Sequence, residues 1–228
     1  MRLSVITPTG GRPEAFALCE RWMSHQTVQP HEWIVVDDCD PPTLTTRGQF
    51  VVRPEPRWVP NAKYPTLGRN LLAGFECVTG DAVVIVEDDD YYSPGHLGMM
   101  ATLLDHAPLV GEGLARYYNV VTWRWRDMAN AGHASLASTA WRHTLTPHIS
   151  RIIERLGQPC YDLSIWRETS HNILSVTTHN VVGMKRMPGR KGIAHGHADE
   201  TCRNPDPDMT QLREWIGDDV TAYERLSA

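Results

Sequence analysis

Four carboxylates that follow a short apolar stretch are the residues of this chain best suited to chemistry. Val83-Val84-Ile85-Val86 is a β-branched run, and Glu87-Asp88-Asp89-Asp90 comes directly after it. Such a run predicts a buried strand with the carboxylates at its C-terminal end. Adjacent negative charges repel one another unless solvent or a cation neutralises them. Hard oxygen ligands at this place favour Mn²⁺ or Mg²⁺, ions that proteins commonly share with substrate phosphates.

Polar side chains also follow the two strands predicted nearest the N-terminus. The apolar run Leu3–Ile6 leads into a Gly-rich turn that ends at Arg12, and the run Trp33–Val36 leads into Asp37 and Asp38. In an open α/β sheet, ligands bind beyond the carboxyl ends of the strands, so these groups are expected at one edge. A nucleotide diphosphate needs a base and ribose pocket, donors for its phosphate oxygens, and a metal.

The candidates for binding a nucleotide lie at the ends of the first two strands and early in the helix predicted before the carboxylates. They are Thr7, Pro8, Thr9, Arg12, Asp37, Asp38 and Arg69. The first three would shape the base pocket, and one of the two aspartates would accept hydrogen bonds from a uracil-type imide or a ribose. The two arginines would donate to ribose or phosphate oxygens.

Strand and helix patterns alternate through the first half of the chain. Pro13 opens an amphipathic helix, Phe50–Val52 predicts a third strand, and a further helix runs from Thr66 to Gly80. Another helix is expected over about residues 94–106. This alternation predicts an α/β fold with a mostly parallel sheet flanked by helices.

The second half is less regular. Residues 114–126 are strand-like and rich in aromatics, Pro147 opens a helix, and strands are expected at 173–176 and 181–184. One or two helices, separated near Gly217, are expected at the C-terminal end. We predict a single domain over residues 1–228, because the sequence contains no internal repeat and no low-complexity linker.

Composition restricts the function classes. The 228 residues carry a formal charge of -5, so no overall basic character indicates a polyanion partner. The sequence has no apolar run of the roughly 20 residues that cross a bilayer, and no membrane insertion is expected. The 5 cysteines are widely spaced and form no CxxC pair. Reduced thiols and a cytoplasmic location are therefore the expectation.

Four motifs resemble those of family 2 glycosyltransferases with the GT-A fold. They are TPTxxRP at Thr7–Pro13, VVDD at 35–38, GRNLLAGFECVTGD at 68–81, and VEDDDYYSPGHL at 86–97, and the resemblance covers roughly residues 3 to 105. It implies a nucleotide-diphospho-sugar donor, with a UDP-sugar favoured, a divalent cation, and inversion at the anomeric carbon. It also implies a nucleotide-sugar-binding half at 1–106 and an acceptor and catalytic half at 107–228.

The acidic segment resembles the family's DxD motif. The resemblance implies that Asp88, Asp89 and Asp90 meet the metal and the diphosphate, with Asp89 as the central ligand. Glu87 occupies the position at which many members have the first aspartate of the motif. Whether Glu87 or Asp88 partners Asp89 stays open at this point.

The C-terminal half resembles the family more loosely. The segment around Asp162 resembles one in which an acidic residue at the start of a late helix is the catalytic base, with Glu168 as a second choice. A late histidine reaches the metal in some GT-A enzymes, and His197 is preferred here over His195. Arg190 and Lys191 would then hold the donor diphosphate.

Aromatic side chains next to cations mark the expected acceptor side. Tyr117, Trp123 and Trp125 alternate with arginines, a pattern that suits sugar rings or nucleobases and also core packing. The acceptor candidates are a hydroxylated base in DNA, a saccharide, a small molecule and a protein.

Three other functions stay open at this point. The same acidic metal site would serve a nucleotidyltransferase or a nucleotide-sugar hydrolase. A protein that binds a nucleotide sugar without catalysis would also show the donor motifs.

Overall fold

A computed structural model describes residues 1–39, 49–52, 66–130, 132–156, 161–169, 172–175, 178–190, 201–224 and 226. Over these residues the chain forms twelve strands and seven α-helices, with three short 3₁₀ segments. The strands are β1 (Leu3–Thr9), β2 (Glu32–Asp37), β3 (Gln49–Val52), β4 (Ala82–Ile85), β5 (Tyr91–Tyr92), β6 (Leu109–Glu112), β7 (Leu114–Asn119), β8 (Arg124–Ala129), β9 (Thr139–Arg142), β10 (Asn172–Ser175), β11 (Val181–Lys185) and β12 (Asn204–Pro205). The helices are α1 (Pro13–Ser24), α2 (Thr66–Phe75), α3 (His96–Leu104), α4 (Thr146–Leu156), α5 (Tyr161–Glu168), α6 (Thr210–Ile216) and α7 (Thr221–Glu224).

A seven-stranded sheet forms the centre of the fold. Its strand order is β10-β6-β9-β4-β1-β2-β3. Strands β4, β1, β2 and β3 are parallel neighbours, and β10 is parallel to β6. Strand β9 runs antiparallel to both of its neighbours, so the sheet is mixed. The expected α/β fold with helices around a mostly parallel sheet is confirmed.

Helices cover both faces of this sheet, which explains why its central strands β1, β2 and β4 are almost entirely buried. Val5, Val35 and Val84 belong to a core cluster with α1 and α3, whereas Ile6 and Val83 belong to a cluster with α2, α4 and α5. Successive side chains of a strand point to opposite faces, so each strand supplies both clusters. All five of these side chains are fully buried.

A second, five-stranded sheet lies beyond the carboxylates. Its order is β12-β8-β7-β11-β5, with β7 and β8 forming an antiparallel hairpin and β11 parallel to β7. The single strand-like region expected at 114–126 is thus two strands of this sheet. The chain passes from β4 of the first sheet to β5 of the second through residues 86–90. The acidic segment therefore joins the two sheets.

Several boundaries differ from those expected. Helix α2 ends at Phe75, short of the expected Gly80, and α3 begins at His96. The expected break near Gly217 is present, because a 3₁₀ turn separates α6 from α7 there. In the described part of the chain, none of the helices is long and apolar enough to cross a bilayer.

The packing of the central sheet predicts a large effect for Val84→Ala. Val84 is fully buried between β1 and β9, so losing two methyl groups should lower the free energy of unfolding by about 2 kcal/mol. Urea denaturation measures the loss. Val121→Ala is the matched control, because Val121 is 51% exposed. Equal losses in the two variants would contradict the assignment of Val84 to the core.

Candidate active site

The carboxyl ends of β1, β2 and β4 meet at one edge of the central sheet. Strand β1 lies between the other two and is parallel to both, with Thr9 opposite Asp37 in the register. Because parallel neighbours end on the same side, the turn after β1, Asp38 after β2 and the acidic segment after β4 converge. The three polar segments singled out in the sequence are therefore brought together.

Asp88 points toward the end of β1. The hydroxyl of Thr9 donates to one of its carboxylate oxygens at 2.7 Å, and Nη1 of Arg12 lies 2.9 Å from the other. The Asp88 side chain is only 5% exposed. Both oxygens of Asp88 thus already have protein donors.

Glu87, Asp89 and Asp90 form the group that could hold a metal ion. Each offers a carboxylate oxygen, and these oxygens lie within 4.8 Å of one another. The structure therefore favours Glu87 over Asp88 as the partner of Asp89. Asp88 lies outside this group, because its oxygens are turned toward Thr9 and Arg12, and its role as a ligand stays a prediction. The backbone N–H of Glu87 donates to the Tyr92 hydroxyl at 2.7 Å, which fixes the start of the segment.

Burial and mutual repulsion shift the acidities in this cluster. Burial, followed by the charges of Asp90 and Asp89, raises the pKa of Glu87 to about 8. Burial raises the pKa of Asp88 to about 7, although Arg12 opposes the shift. Burial also raises the pKa of Asp90 to about 6, against the opposing charge of Lys185. Ionising all of these carboxyls is therefore costly with only the protein's own cations beside them.

Two cations of the chain flank the carboxylates. Nη1 of Arg12 lies 2.5 Å from Asp89 Oδ2, and Nζ of Lys185 lies 3.7 Å from Asp90 Oδ1. Burial would lower the pKa of Lys185, but the charges of Asp90 and Asp89 outweigh it and raise the pKa. Both side chains are therefore cations in the folded protein.

Lys185 was missed in the sequence. It ends a short apolar strand, and nothing in that strand's pattern pairs it with a segment almost a hundred residues earlier. The register of β11 against β7 and β5 places it beside Asp90, whose Oδ1 also accepts the backbone N–H of Met184 at 2.9 Å. Its ammonium lies 5.1 Å from the ring centroid of Tyr117.

Asp38 lies at the other end of the edge, after β2. Its carboxylate is 1% exposed and accepts a hydrogen bond from Arg190 Nη1 at 2.6 Å. Asp37 is also buried, and its Oδ1 accepts the backbone N–H of Cys39 at 2.8 Å. The structure thus brings Asp38 and Arg190 together at the expected nucleotide edge.

The remaining candidates for binding the nucleotide differ in their exposure to solvent. Thr7 is fully buried, and its hydroxyl accepts the indole N–H of Trp33 at 2.9 Å. Pro8 is buried as well, so these two residues shape the edge from within the sheet. Arg69, early in α2, is exposed.

The candidate base Asp162 lies in the first turn of α5. Its Oδ1 accepts the backbone N–H of Leu163 at 2.9 Å, and burial raises its pKa although this hydrogen bond and the charge of His133 oppose the shift. Burial also raises the pKa of Tyr117, and the charges that act on it include those of Lys185, Asp90 and Asp162. Tyr117 therefore lies within electrostatic reach of both the carboxylate cluster and Asp162.

Glu168 is poorly placed to act as the base. It ends α5, and both of its carboxylate oxygens accept hydrogen bonds from Arg155 Nη2, at 2.6 and 2.8 Å. This ion pair is exposed, with the Arg155 side chain 59% accessible. The structure thus favours Asp162 over Glu168.

The three aromatic residues expected at the acceptor do not share one surface. Tyr117 and Lys185 lie on one face of the second sheet, whereas Trp125 faces the other side, as the register of β7, β8 and β11 requires. Trp125 packs edge-on against Trp215 at 5.5 Å. Trp123 lies in the turn before β8 with a positive φ of 50° and packs on the same core. Tyr117 and Trp125 therefore lie on different surfaces, and acceptor binding by any of the three residues stays a prediction.

Three of the expected residues lie outside the described part of the chain. They are Lys191, His195 and His197. Arg190 is the last described residue before them.

The family of this chain follows from a match to a protein-family model. The glycosyl transferase family 2 model matches residues 4–175, which is about three quarters of the chain. The chain belongs to this family. The match thus extends beyond the resemblance noted over residues 3 to 105, into the second half of the chain as far as β10.

This family 2 chain spans less than two thirds of the length of the known proteins compared with it below. It is 30% identical to the uncharacterized glycosyltransferase YwdF of Bacillus subtilis over 114 residues, which are 48% of this chain and 41% of YwdF. Crystal structures of S. aureus TarS residues 1–349 are similar in fold. One of these structures gives a TM-score of 0.55 at 16% identity, over 81% of this chain and 60% of TarS 1–349. The complex with UDP-GlcNAc gives 0.54 at 15% identity, over 87% and 61%.

The crowding of the carboxylates predicts that Glu87→Gln stabilises the metal-free protein. Because the pKa of Glu87 is raised on folding, its favourable contribution exists below its ordinary pKa near 4.5 and is lost as the pH rises through about 8. The glutamine variant should therefore gain thermal stability over the natural protein at pH 8 and little at pH 4.

Melting temperatures with a chelator present measure this difference. Glu76→Gln is the control, because Glu76 is exposed just beyond α2. A gain at pH 8 that is no larger than that of the control variant would show that Glu87 is not crowded.

Proposed function

We propose that this chain transfers a sugar from a nucleotide-diphospho-sugar to a hydroxyl acceptor. A UDP-sugar is the favoured donor, and the reaction is metal-dependent and inverts the anomeric carbon. The observation that carries the proposal is the convergence of a three-carboxylate group with the ends of β1 and β2 at one sheet edge. The fold shared with TarS, which has been crystallised with UDP and with UDP-GlcNAc, supports a uridine nucleotide.

The carboxylate group fits a hard divalent cation. Glu87, Asp89 and Asp90 offer only oxygen ligands, the donor set that Mg²⁺ and Mn²⁺ prefer. Burial, with repulsion from neighbouring carboxylates, raises the pKa values of Glu87 and Asp90, and a dication bound there would favour their ionised forms. When bound, the cation supplies positive charge to the diphosphate as it departs. His197 is proposed as a further ligand from the chain.

The donor's nucleotide end is assigned to the edge formed by β1 and β2. Thr7, Pro8 and Thr9 shape this edge, and a buried carboxylate of Asp37 or Asp38 would accept from the base or ribose. Arg12 and Arg190 already lie at this edge, each bonded to a carboxylate there. Guanidinium groups bind phosphate oxygens through paired hydrogen bonds, so both are suited to the diphosphate, together with Arg69 and Lys191.

Asp162 is assigned as the general base. A carboxylate with a raised pKa holds a proton more strongly and is the better acceptor when a hydroxyl attacks. Its oxygen would take the proton of the acceptor hydroxyl, the hydroxyl oxygen would bond to the anomeric carbon, and the bond to the diphosphate would break on the opposite side. A single displacement of this kind inverts the configuration.

Tyr117 is the acceptor contact that the geometry supports. Its ring lies beside Lys185 and within electrostatic reach of the carboxylate group and Asp162. An aromatic ring there would pack against a sugar ring or a base. The acceptor is proposed to be a hydroxyl of a saccharide, a small molecule, a protein or a hydroxylated DNA base.

Asp89→Asn should abolish donor turnover. The change removes a charge from the three-carboxylate group, and a metal-dependent reaction should fall at least about 100-fold. The measurement is sugar release or transfer from a panel of UDP, GDP, CDP and TDP sugars with Mn²⁺, together with the thermal shift that each donor causes.

The matched control for this test is Asp105→Asn, since the Asp105 side chain is 69% exposed. Full activity of the natural protein in excess chelator would defeat the metal-dependent proposal. The absence of a thermal shift with every donor would defeat the nucleotide-sugar proposal.

Asp162→Asn should lower turnover while leaving the donor's dissociation constant unchanged. A general base contributes about 10²- to 10⁴-fold, and the amide keeps the shape of the side chain without its basicity. Single-turnover transfer and calorimetric donor binding separate the two effects. Asp127→Asn serves as the control, because Asp127 lies on the face of the second sheet opposite Tyr117. Unchanged turnover would clear Asp162 of this role.

A further inference from the structure

Two loops from opposite ends of the sequence are bound together over the donor edge. One is the turn after β1, Gly10-Gly11-Arg12, and the other is Gly189-Arg190, which follows β11. The backbone N–H of Arg190 donates to the Gly11 carbonyl at 3.0 Å, and Nε of Arg12 donates to the Arg190 carbonyl at 2.8 Å. These two hydrogen bonds are reciprocal, so separating the loops would break both of them.

The side chains of these loops occupy both ends of the edge. The Arg190 guanidinium binds Asp38 at 2.6 Å, at the end assigned to the nucleoside. The carbonyl of Arg190 also holds the Arg12 side chain. Nη1 of Arg12 lies 2.9 Å from Asp88 Oδ1 and 2.5 Å from Asp89 Oδ2. A continuous chain of contacts therefore runs from Asp38 to Asp89.

The close approach of the loops depends on Gly189. Its φ is +97°, a backbone conformation that side chains rarely adopt, and an added Cβ would overlap the Gly11 carbonyl oxygen and lie 2.9 Å from the Arg12 Cα. Any side chain at residue 189 would push the loops apart at the two reciprocal hydrogen bonds.

We propose that Gly189 and Arg190 are positioning residues that hold Arg12 on Asp89, where it competes with the metal until a nucleoside displaces Arg190 from Asp38. This inference assumes the metal site of the proposed function. A guanidinium and a dication that share one carboxylate each weaken the binding of the other. A ligand that takes Asp38 breaks the Asp38–Arg190 ion pair, weakens the hold of Arg190 on Arg12 and raises metal affinity. Linkage makes the coupling reciprocal, so bound metal would likewise favour the nucleoside.

The test measures the affinity of the full chain for Mn²⁺ alone, from the electron paramagnetic resonance signal of free Mn²⁺. Gly189→Ala changes no charge, yet it should tighten Mn²⁺ binding about tenfold, the value of one hydrogen bond to a charged group. Arg190→Ala should tighten binding at least as much. Gly132→Ala is the matched control, because Gly132 has φ +81° and an added Cβ would meet nothing within 4 Å.

A variant with opposing expectations makes the test sharper. Asp38→Asn removes a negative charge near the site, so a simple field effect would weaken Mn²⁺ binding. Release of Arg190 would instead tighten it, and the sign of the change decides. This variant also serves if Gly189→Ala unfolds, which circular dichroism would reveal.

The possible results separate this inference from the proposed function. Tighter binding in Gly189→Ala and Asp38→Asn, with no change in Gly132→Ala, supports the coupling. Tighter binding in Arg190→Ala alone reflects only the lost charge and overturns it. Unchanged Mn²⁺ affinity in every variant overturns the coupling and leaves the metal site standing. If neither the natural protein nor any variant binds Mn²⁺, the metal site and the coupling fail together.

Discussion

Repulsion among carboxylates at the end of β4 is the constraint on which the functional edge depends. Burial removes the water that would screen these charges, so each must find a donor or a cation. Asp88 is held by Thr9 and Arg12, and Asp90 by the Met184 N–H and Lys185. The partners come from the end of β1, the turn after it and β11, and these segments are remote in sequence from one another. Satisfying the acidic segment therefore requires both sheets to be in place.

The position of this segment between the two sheets gives the site its two sides. Residues from the central sheet form the edge proposed for the nucleotide, where Asp38 and Arg190 meet. The second sheet contributes Lys185 and Tyr117 to the other side of the carboxylates, and α5 contributes Asp162. In the proposed reaction, the donor and the acceptor would approach the carboxylates from these different directions. Such an arrangement is what a displacement with attack and departure on opposite sides needs.

Much of the fold was predictable because local patterns agree with it. The apolar runs at 3–6, 33–36 and 83–86 are strands of the sheet, and the convergence of their ends follows from parallel pairing. The position of Trp125 was harder to predict. Side chains alternate between the two faces of β8, but the sequence does not say which face lies toward the carboxylates. The side toward Tyr117 is defined only by pairing with β7 and β11, which are set by long-range packing.

The sequence by itself determined the α/β class, the family and the chemical character of the acidic segment, since these depend on residue types and spacings within short stretches. Tertiary structure decided how the carboxylates divide their roles. Four adjacent acidic residues look alike in a sequence, yet Asp88 turns toward Thr9 while Glu87 turns toward Asp89 and Asp90. Which oxygen faces which donor depends on backbone direction and on partners such as Lys185, almost a hundred residues away, and no local pattern encodes it.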